Sequence, residues 1–438
     1  MASLAAAPTA PPRTRRTLAL FALALGSFGI GASEFSTMGL LPQIADGLLT
    51  DLMHANPDQG LARAGWLISA YAVGVVVGAP VLSLLAVRLS RRGLILALTA
   101  ALAVAIAASA LMPSFGGTMV ARFAAGLPHG AYLGVASLIA SSLMGPGSEG
   151  RGAALALSGL TVANLIGVPA LTAIGQAAGW RWAYLLIAAL MVLTVVLLLM
   201  SIPADDKPVG RRILDELHAL RRTQLWAVLL IASIGMAGSF TVFSYIADIV
   251  EQLTTAGAGY VPWLLAAAGA GMTIGNVLGG LLADRGLFAT LLGAFPLYIA
   301  SMVGLALTVH SAVGLTVFFV LVNLVHSVIS PAMQAWLMRI SGRSEVLGAS
   351  LHHAAFNVAN AIGALLGGAV ISSGWGLGAT TVVGALVAST GYALLIGAVV
   401  LLRVRARRRL AQLREAALPF TAEDAVEAVD PHSESPAR

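Results

Sequence analysis

Of 438 residues, 58% are hydrophobic and 10% charged, with a mean hydropathy of +0.90; so apolar a chain cannot hide its side chains in one water-soluble core, and a lipid bilayer must be its solvent. The net charge of +6 does not point to nucleic acid, because the basic residues stand singly or in small clusters between apolar runs. Cysteine is absent, which excludes disulfides and thiolate metal sites. The single lysine, Lys207, among many arginines, with abundant Ala and Gly, fits a GC-rich bacterial genome.

About 20 helical residues cross the roughly 30 Å of hydrocarbon in a bilayer. Twelve apolar runs meet that length, at 17–41, 64–86, 93–113, 116–143, 152–176, 180–202, 224–250, 259–283, 288–309, 312–338, 346–373 and 378–402. The first follows Arg13, Arg15 and Arg16 and is too long for the apolar region of a cleaved signal peptide. Residues 1–16 form a short leading segment, 17–202 and 224–402 two sets of six spans, and 203–223 a charged linker between them. From Arg403 the chain turns to arginine, then Glu, Asp, Ser and Pro without apolar periodicity, and 403–438 reads as a disordered tail.

Basic residues between the runs fall mainly on one side: Arg88, Arg91, Arg92, Arg151, Lys207, Arg285 and Arg339 share the side of the N-terminus, whereas the opposite loops hold Arg63 and Arg181. The positive-inside rule then expects both termini in the cytoplasm of a bacterial cytoplasmic membrane, which an even number of spans satisfies.

The two sets of spans repeat at an offset of about 196 residues: Thr161-Val-Ala-Asn164-Leu-Ile-Gly167 answers to Asn357-Val-Ala-Asn360-Ala-Ile-Gly363, Leu127-Pro-His129 to Leu324-Val-His326, and Gly78 with Arg88 to Gly275 with Arg285. Gly179-Trp180 answers to Gly374-Trp375. Matches in order at near-constant spacing define a repeat. Six spans per half means that both halves start on the same side, so the expected fold is an all-α membrane protein of two parallel-repeat six-helix bundles.

An ionisable side chain in hydrocarbon costs several kcal/mol, so each needs a partner, a wet cavity or a neutral form. Glu34 in the first span and Arg122 in the fourth lie at similar depth and are the candidate proton-coupling pair; the structural alternative is an ion pair locking two helices. His129 and His326, equivalent in the repeat, are candidates for a proton relay or for hydrogen bonds between helices, and Asp248, near the outer end of the seventh span, reads as an interfacial or loop-facing carboxylate with a cavity role as the alternative. Met38, Phe240, Phe243, Tyr245, Met333 and Trp336 are expected to supply aromatic and soft cavity surface. Gly159, Asn164, Gly167 and Pro169 put flexible and polar positions into the fifth span, where they suit a bending or sealing interface. No Gly-x-x-x-x-Gly-Lys-Ser/Thr, His-Glu-x-x-His or Gly-x-Ser-x-Gly motif occurs, so neither an ATP-driven pump nor an intramembrane hydrolase is indicated, and no cofactor or metal is expected.

Gly29-Ile-Gly-Ala-Ser-Glu34-Phe-Ser-Thr-Met-Gly-Leu-Leu-Pro42 and Gly65-Trp-Leu-Ile-Ser-Ala-Tyr-Ala-Val-Gly resemble the opening of twelve-span drug:proton antiporters of the major facilitator superfamily. More narrowly, the pattern resembles the branch with arabinose efflux permease-like and chloramphenicol efflux proteins, and the resemblance extends over essentially all twelve spans. Arg122-Phe-Ala-Ala-Gly126 resembles the fourth-span motif whose arginine is implicated in proton coupling, and Gly159 through Pro169 the fifth-span antiporter motif, with its Gly-Pro pair spaced as Gly167-Val-Pro169. The loop after the second span keeps Arg88, Arg91 and Arg92 of the gating motif but has Val87 where the family has Asp; Asp284 and Arg285 keep the core of that motif in the second half.

The resemblance implies a proton-coupled exporter of small, drug-like or amphipathic molecules, monomeric in the bilayer and not an enzyme, working by alternating access. Sugar or metabolite efflux is the second reading, and a receptor or assembly factor that transports nothing is the alternative from another class.

Overall fold

The computed structural model describes residues 13–86, 90–145, 149–202, 222–341 and 345–416. In chain order the helices are α1 (Arg13–Gly39), α2 (Leu41–Leu48), α3 (Thr50–Ala55), α4 (Pro57–Ala64), α5 (Trp66–Ala86), α6 (Arg91–Leu111), α7 (Phe115–Met144) and α8 (Glu149–Val162). A π-helical turn, Ala163–Gly167, joins α8 to α9 (Val168–Ala178), followed by α10 (Trp180–Ser201), α11 (Thr223–Phe243), α12 (Ile246–Leu253), α13 (Val261–Thr308), α14 (Ala312–Ser341), α15 (Glu345–Val370) and α16 (Ala379–Ala416). Their starts are written locally: Asn56 accepts from the Gln59 amide, Ser90 from that of Gly93 and Ser114 from that of Gly117, each capping the helix that follows.

Eleven helical stretches among the described residues are long and apolar enough to cross a membrane. One of them contains α13, whose 48 residues would reach about 72 Å at 1.5 Å per residue, more than twice the hydrocarbon thickness. Gly286 inside α13 has extended backbone (φ −176°, ψ 93°), which breaks it into two spans and brings the total to twelve. The exposed large side chains, among them Leu111, Trp263 and Leu307, form the lipid-facing surface. Exposed Trp66, Trp182, Trp263 and Trp375 fall near helix ends on the face opposite the N-terminus, where an interfacial aromatic belt belongs.

Three boundaries differ from the sequence expectation. The first helix already begins at Arg13. The seventh span ends at Phe243 rather than near 250, and the rest of that run is the separate helix α12. The last helix continues past 402 to Ala416, so the arginine-rich stretch expected to be irregular is helical that far, because Leu, Ala, Arg and Gln are all good helix formers. The linker from 203 to 221, Arg88, and the tail from 417 lie outside the described residues.

The internal repeat is physical. A Cβ at Gly78 would overlap the carbonyl oxygen of Leu127, and a Cβ at Gly275 that of Leu324, so the second span approaches the fourth in the way the eighth approaches the tenth. The first span of each half breaks in the same conformation, at Leu40 (φ −117°, ψ 13°) and Tyr245 (φ −119°, ψ 19°), before the eight-residue helices α2 and α12. Gly179 and Gly374 both have positive φ, 99° and 78°, which is why glycine precedes tryptophan at each of these helix ends.

By compactness the chain forms a large unit, Met1–Ala393, and a small one, Leu394–Arg438. In the small unit, Arg403, Arg405, Arg407 and Arg408 are exposed along α16.

Candidate functional site

A cavity of about 230 Å³ lies among α1, α7, α8, α11, α13, α14 and α15. Most of its lining residues are polar, with His129, His326, His352 and His353, Asn164, Asn276, Asn323 and Asn357, several hydroxyls, and Gln334, although apolar atoms make up the larger part of the surface they present. Phe35, Phe240, Phe243 and Phe356 supply the aromatic part. Of the apolar residues expected here, Phe240 and Phe243 line the cavity; Met38, Tyr245, Met333 and Trp336 do not, being buried in packing elsewhere, and Met272 is the methionine that does.

The lining residues run from the middle of the spans toward the face of the N-terminus: Gln334 lies late in α14, and His352 and His353 lie early in α15. Toward the opposite face the halves close on each other. Phe35 and Phe243 meet edge to face at 5.6 Å, Ser69 Oγ donates to Ala361 O at 3.3 Å, and Gln176 Nε2 donates to Ala258 O at 3.0 Å. The conformation is therefore closed at the face opposite the N-terminus.

Glu34 reaches the cavity wall with 4% of its surface exposed. Its Oε1 accepts a hydrogen bond from Nδ2 of Asn360, on the eleventh span of the other half, at 3.1 Å. Arg122 bonds beside it: Nη1 donates to Ser33 O at 3.1 Å and to Ser33 Oγ at 3.0 Å, and the guanidinium lies 4.3 Å from the centre of the Tyr71 ring and 5.6 Å from that of Tyr184. These aromatic faces help hold a desolvated cation in place. The expected neighbours are thus brought together at one depth, with the arginine anchored one residue away on the same helix turn.

Tyr71 links onward, its hydroxyl 3.0 Å from Nδ1 of His129. In the second half His326 Nδ1 lies 2.8 Å from Ser239 Oγ, so the two repeat-related histidines bond to different helices of their own halves. His352 bonds Ser330 through Nε2 at 3.0 Å, and its ring is 5.8 Å from that of His353. Sequence reasoning gave these two no role and took Asn360 only as a repeat mate of Asn164. The available signal was a polar side chain at mid-depth in an apolar span.

Asp248 lies away from the cavity, in α12. Of the gating candidates, Arg92 donates from Nη2 to Leu199 O at 3.1 Å, and Arg91 follows the Ser90 cap at the start of α6. Asp284 and Arg285 are both exposed, with Arg285 bonding back to Leu281 O of its own helix. In the fifth span, Gly159 packs on the Ala24 carbonyl of α1 and Gly167 on the Phe28 ring. Pro169, which lacks an amide donor, is the second residue of α9, separated by one residue from the π-helical turn that carries Asn164 into the cavity wall. Gly269 of the eighth span lies against the Asn164 backbone, so the halves meet here at backbone distance.

Twelve spans in two similar halves, with a cavity between them lined by both polar and aromatic residues and closed at one end, define an alternating-access membrane carrier. Residues 23–349 match the sequence profile of the Major Facilitator Superfamily, and the chain belongs to that family of transporters. It is 38% identical over 377 residues to the inner membrane transport protein YdhP of Escherichia coli K12, covering 86% of this chain and 94% of that one. It is 32% identical over 354 residues to a chloramphenicol resistance protein of Streptomyces lividans, covering 80% and 88% respectively. The crystal structure of a bacterial homologue of the human lysosomal transporter Spinster, inward-facing and occupied, superposes with a TM-score of 0.67 at 16% identity, over 89% of this chain and 97% of that chain, and so shares its fold.

Proposed function

We propose that this transporter exports a small, neutral, hydrogen-bonding molecule with an aromatic or apolar part from the bacterial cytoplasm, in exchange for protons. The observation that carries the reading is the Glu34 carboxylate, held in the cavity wall by a single bond that crosses between the halves. A proton on Glu34 weakens the acceptor that Asn360 uses, so protonation state and inter-half contact are linked, which is what coupling requires. Arg122, fixed at Ser33, supplies the cation that competes for the carboxylate, and the Tyr71 ring against which it lies is hydrogen-bonded through its hydroxyl to His129 in the cavity wall.

The asymmetry of basic loops supports both termini in the cytoplasm, and the name of the Escherichia coli relative supports the inner membrane. The cavity then opens inward, where cargo for export is collected, and exposed Asp284 and Arg285 fit an inner gate that is released. A pH gradient of one unit contributes about 1.4 kcal/mol per proton and 100 mV about 2.3 kcal/mol per charge, together enough for a several-hundred-fold gradient without ATP.

The four histidines and four asparagines of the wall favour cargo rich in donors and acceptors over a merely greasy one. That chemistry suits chloramphenicol-like amides, and it equally favours the second reading, efflux of sugars or related polyols. The test is substrate-induced proton movement in inverted vesicles, comparing wild type with Glu34→Gln over chloramphenicol, cationic dyes, arabinose and other sugars, and purine nucleosides. One compound should release protons in wild type and not in Glu34→Gln. Equal release from both proteins would remove Glu34 as the coupling site, and silence over the panel from a folded, inserted protein would favour the non-transporting alternative.

A further inference from the structure

At the face opposite the N-terminus, the short helices α2 and α12 from the two halves pack beside one another and bring acids together. Asp248, in the first turn of α12, is 1% exposed, and its Oδ2 has no protein hydrogen-bond partner. The charges facing it are negative: Glu251 on its own helix and Asp46 on α2. Tyr245 lies beside it with its hydroxyl committed to Ala364 O at 2.8 Å, and Tyr260 is engaged with Thr316. Arg181, close to Gly47, lies over the Trp180 ring, and no arginine among the described residues forms an ion pair with any of the three acids.

Access is graded. Asp46 is exposed, Glu251 half-buried and Asp248 buried, so a proton has a stepwise route from solvent on that face to the innermost carboxyl. Gln43 of α2 lies beside Glu251 across the halves, which places the acids at the closed interface itself.

We propose that Asp248 and Glu251 form a second proton-binding site, separate from the cavity, whose occupation allows the face opposite the N-terminus to close. A buried carboxylate beside a half-buried one and a third at the surface, with no cation among them, cannot be brought together in the ionised form without a penalty. Burial pushes Asp248 well above the usual carboxylate range, with the charges of Glu251 and Asp46 adding to the effect and its own backbone bond opposing it. Burial also raises Glu251, with the Gln43 side chain opposing the effect and the charge of Asp46 adding to it. For an acid whose affinity for protons is higher when the face is closed than when it is open, closure is favoured below the closed-state titration range and lost as pH rises through it.

The inference rests on alternating access but not on Glu34. Protons taken up and released at the same face carry no charge across the membrane. The gate therefore sets how the carrier responds to pH on that side and leaves the number of protons exchanged per substrate unchanged.

The chain has no cysteine, so paired labels are simple to place. Gln59→Cys on α4 and Ser373→Cys in the π-helical turn Ile371–Trp375 that follows α15 are exposed positions on elements that pack together across the halves. Spin-label distances are measured in liposomes from about pH 5 to pH 9, in a Glu34→Gln background that removes the cavity carboxylate. With the acids intact, the ratio of short to long distances should fall by up to about tenfold per pH unit per proton in the titration range.

With Asp248→Asn and Glu251→Gln together, the ratio should change less than about twofold over the whole range, a flat response that the linkage relation demands once no proton is exchanged. Glu251→Gln alone, the less buried change, should flatten the response in part and gives a second reading if the double variant does not fold. An unchanged pH response in the variants, closure that increases with pH, or a face closed at every pH with the acids intact would each overturn the proposal. Failure of the antiport reading is scored separately, by proton movement in vesicles, because the labels report closure without any substrate.

Discussion

The bond from Asn360 to Glu34 offers the most direct test of whether the cavity communicates with the gate. Asn360→Ala removes a donor 3.1 Å from Glu34 Oε1 where both side chains are at most 4% exposed. Hydrogen bonds between helices in membranes contribute about 0.6 kcal/mol on average and up to about 1.7, and a buried acceptor able to carry charge belongs at the upper end. Breaking this bond should therefore shift the equilibrium about 3- to 20-fold toward the state open at the face opposite the N-terminus, since 1.4 kcal/mol is a factor of about ten.

Ser36→Cys is a fitting reporter. Ser36 is fully buried on α1, one turn or less beyond Glu34 toward the closing face, and cysteine is nearly isosteric with it. The rate at which a membrane-impermeant thiol reagent labels it from the face opposite the N-terminus measures the open population. The expected result is faster labelling in Asn360→Ala by that factor, and by no more than about twofold when Glu34→Gln is also present, because the partner charge is already gone. An unchanged rate in folded Asn360→Ala would refute the link between cavity and gate.

Two further outcomes follow from the packing and the cavity. Gly78→Ala and Gly275→Ala should each destabilise the protein by about 1–3 kcal/mol, lowering the unfolding temperature in detergent by similar amounts, because in both cases the new methyl meets a backbone carbonyl that cannot rotate away. Tolerance at one site alone would show that the repeat is not equivalent in its packing. Asn276→Leu and Gln334→Leu, which remove polar groups from the cavity wall, should each raise KM for the transported compound about tenfold with little effect on unfolding temperature, each lost bond being worth roughly 1–1.5 kcal/mol. Unchanged KM in both would move the binding site elsewhere.

The spans were legible because a bilayer enforces a length and an apolar composition that few other structures need. The repeat was legible because its close approaches require glycine, leaving Gly78 and Gly275 as matching marks. The Glu34–Asn360 bond was not, since its partners are 326 positions apart and nothing local to either names the other. Reading the seventh span through to 250 failed because Ser244 and Tyr245 break the helix while remaining apolar enough to continue the run. Asp248 lies beyond that break, in α12, which agrees with its reading as an interfacial carboxylate near the outer end of the run and not with a place in the cavity wall. Depth along a helix can be counted from sequence, but which neighbour a side chain meets at that depth depends on how the halves are docked.

The meeting of Gly269 with the Asn164 backbone has a consequence for how such a protein changes over time. Surfaces that touch through backbone have no side chains to interlock, so they behave as a bearing on which one half turns against the other. A bearing tolerates little addition, since any methyl at Gly269 would displace the π-helical turn and the asparagine it presents. The cavity wall nearby carries no such restriction: Leu157, Thr161 and Met272 face open space with ordinary side chains. New cargo preferences can therefore be selected or engineered at those positions while the moving surface is left untouched, and the residues that look chemically emptiest are the ones that variation can least afford to touch.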